Sequence, residues 1–331
     1  MLHRVVCSLI VLISFSGIAA AQDKVQYREK GGKGAIQTAS GKIESESVAG
    51  VRVGNRPISS SEIVDIQYEV PALIRLDYPR AVAAEARSPA DASREYEGLL
   101  KNPSVQNAKF VRRQFEYKLA SLAAARADES PELLNKAVEA IARFRKDNPD
   151  AWQLVPLTRT LARLSLQKDP PDADAARKAW DDLAVTPGVP DDVKSECVFQ
   201  SVDLLLAANQ RDDARRKLAA IPPSDPRRQV YEIGCSANPA SPADAVKQLE
   251  SLIDRTQDRA IKAAAYNMIG DCYRRDARTK KDALYAYLWV DVVYNDDPVE
   301  TAKAVRRLAE LFEDLKDDER ARKYRERMRG Q

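Results

Sequence analysis

The chain carries two patterns of hydrophobic and polar positions, which meet near Pro71. From Asp23 to about Glu69, apolar and polar residues alternate in steps of two, and half of the 12 glycines of the chain fall in this window. Alternation is typical of half-buried strands, and glycine permits the tight turns that join them. The pattern predicts four or five short strands that form either a small all-β barrel or an open meander.

After Pro71 the apolar residues recur at steps of three and four, which predicts amphipathic helices. Two stretches of this region, SPADASREYEGLLK at 88–101 and SPADAVKQLESLID at 241–254, have nearly the same opening. Each has an alanine followed by larger residues four and seven positions later, which places the three side chains on one face of a helix. The leading Ser-Pro predicts an N-cap followed by proline in the first turn.

The same triplet of one small and two larger residues occurs seven times. The steps between successive alanines range from 31 to 45 residues, and three of the six steps are 38. This spacing is the length of one helix–turn–helix unit. In the last triplet Arg325 replaces the apolar residue, as expected where no further unit covers the helix. The triplets are Ala92/Tyr96/Leu99, Ala137/Ile141/Phe144, Ala176/Trp180/Leu183, Ala214/Leu218/Ile221, Ala245/Leu249/Leu252, Ala283/Tyr287/Val290 and Ala321/Arg325/Met328.

Over about 72–329 the chain resembles a tetratricopeptide repeat (TPR) protein, whose pattern is W-x₂-L-G-x₂-Y, then A-x₃-F. The residues that match it best are Tyr266, Ile269, Gly270, Tyr273, Ala283 and Tyr287. The resemblance implies a mainly α protein in which α–α hairpins stack into a right-handed superhelical solenoid. We expect this repeat domain at 71–331, and the strand-rich part at 22–70 has the size of an SH3- or Sm-like barrel.

The first 21 residues predict a signal peptide. Arg4 precedes an apolar run from Val5 to Ile18, and small residues end at Ala21, where cleavage is expected. The alternative is an anchor that stays attached, although the run is short for a bilayer core. No later segment has a long uncharged stretch. We therefore expect no transmembrane segment after cleavage and a periplasmic or secreted protein.

Composition excludes several classes of function. The chain has 53 basic and 50 acidic residues, both interspersed, which argues against nucleic acid as the main partner. Its single histidine, His3, lies in the signal peptide, so histidine triads and histidine metal sites are excluded from the mature chain. No glycine-rich phosphate-binding loop occurs. We expect no cofactor and no metal. The three remaining cysteines predict buried thiols, with one disulfide as the alternative: Cys197, Cys235 and Cys272.

The resemblance implies that the first helix of each hairpin lines a concave surface that binds a protein or peptide. The clamp that some such domains use for a C-terminal carboxylate looks absent, because Asp271 would repel that group. We expect an exported, non-enzymatic scaffold in the bacterial cell envelope. The candidate partner-binding residues are Arg159, Arg163, Phe199, Asp203, Asn267, Asp271, Arg274, Arg306 and Glu310.

Two alternatives accompany this hypothesis. One is a carboxylate-based hydrolase that uses Asp181-Asp182 or Asp296-Asp297, although adjacent residues on a helix point about 100° apart. The other is an envelope-assembly factor whose basic ending, RARKYRERMRG, contacts a membrane. A cation-rich last turn is also what the helix dipole favours.

Overall fold

The computed structural model describes residues 22–29, 34–238 and 241–329. These residues form a small antiparallel β region followed by a mainly helical part, as predicted. The signal peptide predicted at 1–21 lies outside the described residues. Within the described ranges, no helix combines the length and the apolar character needed to cross a bilayer.

The β region consists of two three-stranded antiparallel sheets, with the strand orders β2-β1-β6 and β3-β4-β5. In the first sheet Val25 pairs with Ala39 on one side and with Ile66 on the other. The six strands are β1 (Lys24–Arg28), β2 (Ile36–Ser40), β3 (Ile43–Ser47), β4 (Gly50–Val53), β5 (Arg56–Ser59) and β6 (Ile63–Gln67).

The count of six strands, where four or five were predicted, has its origin at Gly41. Only Gly41 and Lys42 separate β2 from β3, and the φ angle of Gly41 is +152°. Backbone of this kind favours glycine, and a Cβ at this position would lie 3.2 Å from the side chain of Val53. The chain bends here and passes from one sheet to the other, so one continuous stretch supplies two strands.

Fifteen α-helices lie in the described part of the chain, together with a 3₁₀ turn at Ala72–Ile74, another at Ala277–Thr279 and a π-helical turn at Trp289–Val293. The helices are α1 (Tyr78–Glu85), α2 (Pro89–Leu100), α3 (Pro103–Gln106), α4 (Lys109–Ala125), α5 (Pro131–Asp147), α6 (Leu154–Gln167), α7 (Ala173–Ala184), α8 (Asp191–Ala207), α9 (Arg211–Leu218), α10 (Arg227–Ser236), α11 (Ala243–Arg255), α12 (Arg259–Tyr273), α13 (Lys280–Leu288), α14 (Pro298–Asp314) and α15 (Asp318–Arg329).

The two copies of the Ser-Pro opening behave differently. Ser88 caps α2 by accepting a hydrogen bond from the amide of Asp91, as predicted. The prediction is wrong for Ser241, because Pro242 is the residue that precedes α11 and no side chain caps that helix. Ser241 instead forms an isolated β-bridge with Asn238. Both stretches are therefore helical, but the N-termini of the two helices are capped differently.

All seven repeated alanines are buried, with no more than 5% of the surface of any of them exposed. The larger residues four positions later are buried too, except for Arg325, which is exposed on the last helix and pairs with Glu313. Helices contact mainly their neighbours in sequence and the helix two positions away. Small residues thus lie where successive helices cross closely.

A glycine makes a further close crossing, which joins α12 to α13. Gly270 packs directly on the ring of Tyr287, since a Cβ built on Gly270 would lie 2.6 Å from Cζ of that ring. Tyr287 is fully buried, and its hydroxyl donates to Asp271 at 2.7 Å. The pair that best matches the TPR pattern is therefore in van der Waals contact.

The three cysteines are free and buried, as predicted. Burial raises the pKa of the Cys197 thiol to about 12 and that of the Cys235 thiol to about 11. Cys272 likewise has a pKa of about 11 because it is buried. Such thiols are protonated at neutral pH and belong to the apolar core.

The β region and the first helices share one hydrophobic core, which contains Ile66, Phe115 and Trp152. A buried ion pair crosses this junction, where Nη1 of Arg113 on α4 donates to Oε1 of Glu46 on β3 at 2.9 Å. The hydroxyl of Tyr68 donates to the other oxygen of Glu46 at 2.6 Å. Burial raises the pKa of Glu46, while Tyr68 and Arg113 lower it. The sheets therefore dock on the helices through both apolar and charged contacts.

We predict that Gly270→Ala destabilises the protein by about 1–3 kcal/mol, since the new methyl group overpacks the crossing with Tyr287. The matched control is Gly98→Ala, because Gly98 is an exposed helical glycine with nothing within 4 Å of a Cβ. That change should stabilise by about 0.5–1 kcal/mol. Urea denaturation measures both values. Equal stability of Gly270→Ala and wild type would contradict the close crossing.

We predict that Arg113→Met costs about 3–5 kcal/mol of unfolding free energy, because it leaves the Glu46 carboxylate buried without its cation. The double variant Glu46→Gln/Arg113→Met should regain a large part of this loss, since the buried group is then neutral and Asp150, the other acidic partner of Arg113, is 54% exposed. Arg94→Met, which breaks an exposed pair with Asp91, should cost less than about 1 kcal/mol. Denaturation followed by tryptophan fluorescence measures the unfolding free energy of all three variants, and a double variant as unstable as Arg113→Met would refute the explanation.

Candidate functional site

The densest group of buried charges lies where α8, α12 and α14 meet. Lys303 is central, with its Nζ 2.6 Å from Oδ1 of Asp203 and 4.0 Å from Oδ2 of Asp271. Nε of Arg307 lies 3.0 Å from Oδ1 of Asp271. We call this group the charge cluster, and its members are Asp203, Asn267, Asp271, Arg274, Glu300, Lys303, Arg306, Arg307 and Glu310.

Helical spacing explains how the cluster is assembled. On α14, Glu300, Lys303 and Arg307 follow one another at steps of three and four, so they project from one side of the helix. Asn267 and Asp271 are four apart on α12 and face them. Each helix therefore contributes a row of polar side chains, and the rows meet.

At one end of the cluster the Glu310 carboxylate is surrounded by three guanidinium groups. The Glu310 carboxylate accepts from Arg274 at 2.8 Å and from Arg306 at 2.9 Å, and Arg307 lies 3.3 Å away. Although burial raises the pKa of Glu310, Arg306 and Arg307 outweigh it and lower the pKa to about 2. Asp271 is also lowered to a pKa of about 2, because Arg307 and Lys303 outweigh the effect of burial.

Glu300 is the exception in the cluster. Burial raises the pKa of its carboxyl to about 7, although Lys303 opposes the shift. The Nδ2 of Asn267 donates to Oε2 of Glu300 at 2.8 Å and to the backbone oxygen of Glu300 at 3.0 Å. Oδ1 of Asn267 is buried without a hydrogen-bond partner. Glu300 is thus a buried carboxyl that titrates near neutral pH.

Six of the nine candidate partner-binding residues belong to this cluster, so the structure brings them together. They are Asp203, Asn267, Asp271, Arg274, Arg306 and Glu310. Their polar groups bind one another or the remaining members of the cluster, Glu300, Lys303 and Arg307.

The expectation of an open groove is wrong for three of the nine residues, because Phe199, Asp203 and Asn267 are buried. Phe199 lies between the ring of Tyr231, 4.7 Å away, and the guanidinium of Arg227, 4.6 Å away. The physical reason differs between them. α10 covers Phe199, whereas α14 covers Asp203 through Lys303 and Asn267 through Glu300.

The other two candidates, Arg159 and Arg163, lie apart from the cluster on α6. Arg159 donates to both oxygens of Glu196 at 2.8 and 2.6 Å, while Arg163 donates to Gln167 at 3.2 Å. The Arg159 side chain is 41% exposed. This part of the first helices therefore remains accessible.

The carboxylate pairs of the hydrolase alternative do not converge. Asp181 accepts from Ser201 and pairs with Lys217, whereas Asp182 pairs with Lys178 on its own helix. Asp296 pairs with Arg259, and Asp297 caps α14 through the amides of its first turn. Among the described residues no group of three or more metal-ligating side chains is close enough to hold an ion.

Sequence analysis missed a second feature, a cleft of about 290 Å³ that opens between α11, α12 and α13. We call it the aromatic cleft. The signal available in the sequence was the spacing of Tyr285 and Trp289, two large apolar residues on one helix face that are both exposed. Residues that line the cleft are Glu250, Ile253, Asp254, Tyr266, Ile269, Asp282, Ala286 and Trp289.

Two further clefts, of about 600 and 370 Å³, lie on either side of the loop that precedes α10. The carboxylates at the second one, Asp225, Asp258 and Asp297, already accept hydrogen bonds at helix starts. Their charges are therefore used within the fold.

Comparison with known proteins adds no assignment: no family model, no curated protein and no solved structure matches the chain.

We predict that Glu300→Gln stabilises the protein at pH 8.5 by about 1–3 kcal/mol and has little effect at pH 5. The folded pKa of Glu300, about 7, lies above its ordinary value of 4.5, so the folded state loses stability as the pH rises through this range. Glutamine keeps the contact with Asn267 without the charge. For the exposed control Glu139→Gln, the change in unfolding free energy should be the same at both pH values. Urea denaturation at both pH values decides, and a stabilisation independent of pH would contradict the assignment.

Proposed function

We propose that the protein is an exported, non-enzymatic scaffold that binds a protein or peptide partner through a TPR-like stack of helical hairpins in the bacterial cell envelope. The observation that carries this proposal is the burial of all seven alanines at helix crossings spaced by about one hairpin. A repeat of this kind produces a long surface rather than one deep pocket.

The contact pattern supports a TPR-like solenoid. Helices that contact each other extensively are neighbours or two positions apart, as in a row of stacked pairs. The crossing of Gly270 with Tyr287 is the contact that a small residue and a large aromatic make in such a pair. We infer a right-handed superhelical stack on this basis.

The bend at Gly41 supports an SH3-like arrangement for 22–70. Counted as one strand, β2 and β3 give five strands, and the bent strand takes part in both sheets. Because Ile66 and Tyr68 pack in the same core as Phe115 and Trp152, we propose that the β region covers the first hairpin of the stack.

The charge cluster limits where a partner can bind. Its side chains are already paired, and a ligand would have to replace ion pairs that are buried, at a large desolvation cost. We therefore place partner contacts outside the cluster, at accessible positions such as Arg163 on α6 and Tyr285 on α13.

Site-specific photo-crosslinking in the envelope of the native host tests this function. A photoreactive amino acid placed at Arg163, at Tyr285 or at the exposed Glu97 should give a discrete adduct at some positions and none at others, since a scaffold has a defined binding face. Mass spectrometry identifies each adduct. Absence of any position-specific adduct, with the full-length protein present in the envelope fraction, would refute the proposal.

A further inference from the structure

Three aromatic rings, from α12 and the end of the π-helical turn, form a cluster in which each ring contacts the other two. The Tyr266 ring stacks on Trp289 with centroids 5.8 Å apart, and on Tyr294 with centroids 5.4 Å apart. The two stacks are nearly parallel, at 17° and 18°. Turns of the π type are rare and are found frequently at functional sites.

One ring of this cluster, Tyr294, is in contact with cations of the chain itself. The guanidinium of Arg259 lies 5.2 Å from the centre of the Tyr294 ring, and Nζ of Lys262 lies 5.9 Å from it. Arg259 is also paired with the carboxylate of Asp296. A cation here is thus held between an aromatic face and a carboxylate, which is a favourable environment for guanidinium.

Trp289, another ring of the cluster, lies beside acidic groups, and among the described residues no cation lies over its ring. Trp289 is 47% exposed and borders the aromatic cleft together with Glu250, Asp254 and Asp282. Within the described residues, none of these three carboxylates forms an ion pair or a side-chain hydrogen bond. Burial, followed by the nearby Tyr294, Asp254 and Glu250, raises the pKa of Tyr266.

An exposed apolar strip continues from the cleft along the same helix. Tyr285, Trp289 and Val292 follow at steps of four and three, and they are 62%, 47% and 68% exposed. Beside this strip, Ile269 of α12 and Ala286 of α13 form the apolar part of the cleft lining. Large apolar side chains grouped on a surface in this way mark interaction sites.

We propose that the aromatic cleft binds an arginine side chain from a peptide segment of the partner, and that apolar residues beside this arginine cover Tyr285 and Val292. The guanidinium stacks on Trp289 and is neutralised by Glu250, Asp254 and Asp282. This inference rests on the proposed partner-binding function and gives it a site and a chemistry. Three carboxylates without cations disfavour nucleic acid and anionic lipid at the same position.

Tryptophan fluorescence reports on this site directly. Trp152 and Trp180 are buried, so a ligand that changes the emission of the folded protein acts on Trp289. The probe is the peptide acetyl-Ala-Leu-Arg-Arg-Leu-Ala-amide, and its control replaces both arginines by citrulline, which has the same shape and no charge. We expect a saturable change with the arginine peptide and binding at least about tenfold weaker with citrulline.

A matched pair of variants tests the carboxylates. The triple variant Glu250→Gln/Asp254→Asn/Asp282→Asn should bind the arginine peptide at least about tenfold more weakly in calorimetric titration. These carboxylates have no partners, so the melting temperature should not fall. Glu97→Gln/Glu139→Gln/Asp147→Asn removes the same net charge from exposed positions elsewhere and should retain the affinity within about twofold.

Four outcomes would overturn the inference. Equal binding of the citrulline peptide would show an apolar site without charge recognition. Equal loss in both triple variants would show a diffuse effect of net charge. Self-association in sedimentation that the cleft variant abolishes would make a second copy of the chain the occupant. Adducts at Arg163 but not at Tyr285 in the crosslinking experiment would leave the scaffold function standing and remove this site alone.

Discussion

Helices in this protein cross where one of them has a side chain no larger than a methyl group. At six of the seven alanines the larger residues four and seven positions later are buried and fill the adjacent space, and Gly270 packs directly on the ring of Tyr287. A single pair of helices would leave one of its apolar faces in water, so each pair depends on the next for its burial. The β region serves the same need at the start of the helical part, because its sheets share a core with α2 and α4.

Buried charges, like the apolar faces of the helices, depend on contacts between different elements. Arg113 and Glu46 are buried between sheet and helix, and Lys303 and Asp203 are buried between two helices distant in sequence. A buried charge without its partner is strongly unfavourable, so each pair fixes the relative position of the elements that carry it. Buried ion pairs thus supply geometric specificity at the junctions, while the repeated alanines supply close packing between neighbours.

Local pattern was sufficient for the features that are themselves local. The alanine at position 92 and its six counterparts were found from spacing alone, because a helix face is read from steps of three and four. Sequence could not show that α14 covers α8, since the contact of Lys303 with Asp203 depends on how several helices turn together. Phe199 was expected on a surface and is buried because the Tyr231 ring of α10 packs on it, a contact between helices that spacing does not show. The aromatic cleft combines residues from three helices and a π-helical turn. Hydrophobic periodicity within each element does not show that these elements meet.

The link between Lys303 and Asp203 joins positions 100 residues apart. A row of stacked units held only by neighbouring contacts opens unit by unit from its ends. Here the contact links α14 back to α8. The chain from α8 to α14 therefore forms a loop that is closed by a tertiary contact. Amide hydrogen exchange in α8, α10, α12 and α14 should therefore report one cooperative opening, whereas α15, outside this loop, exchanges on its own.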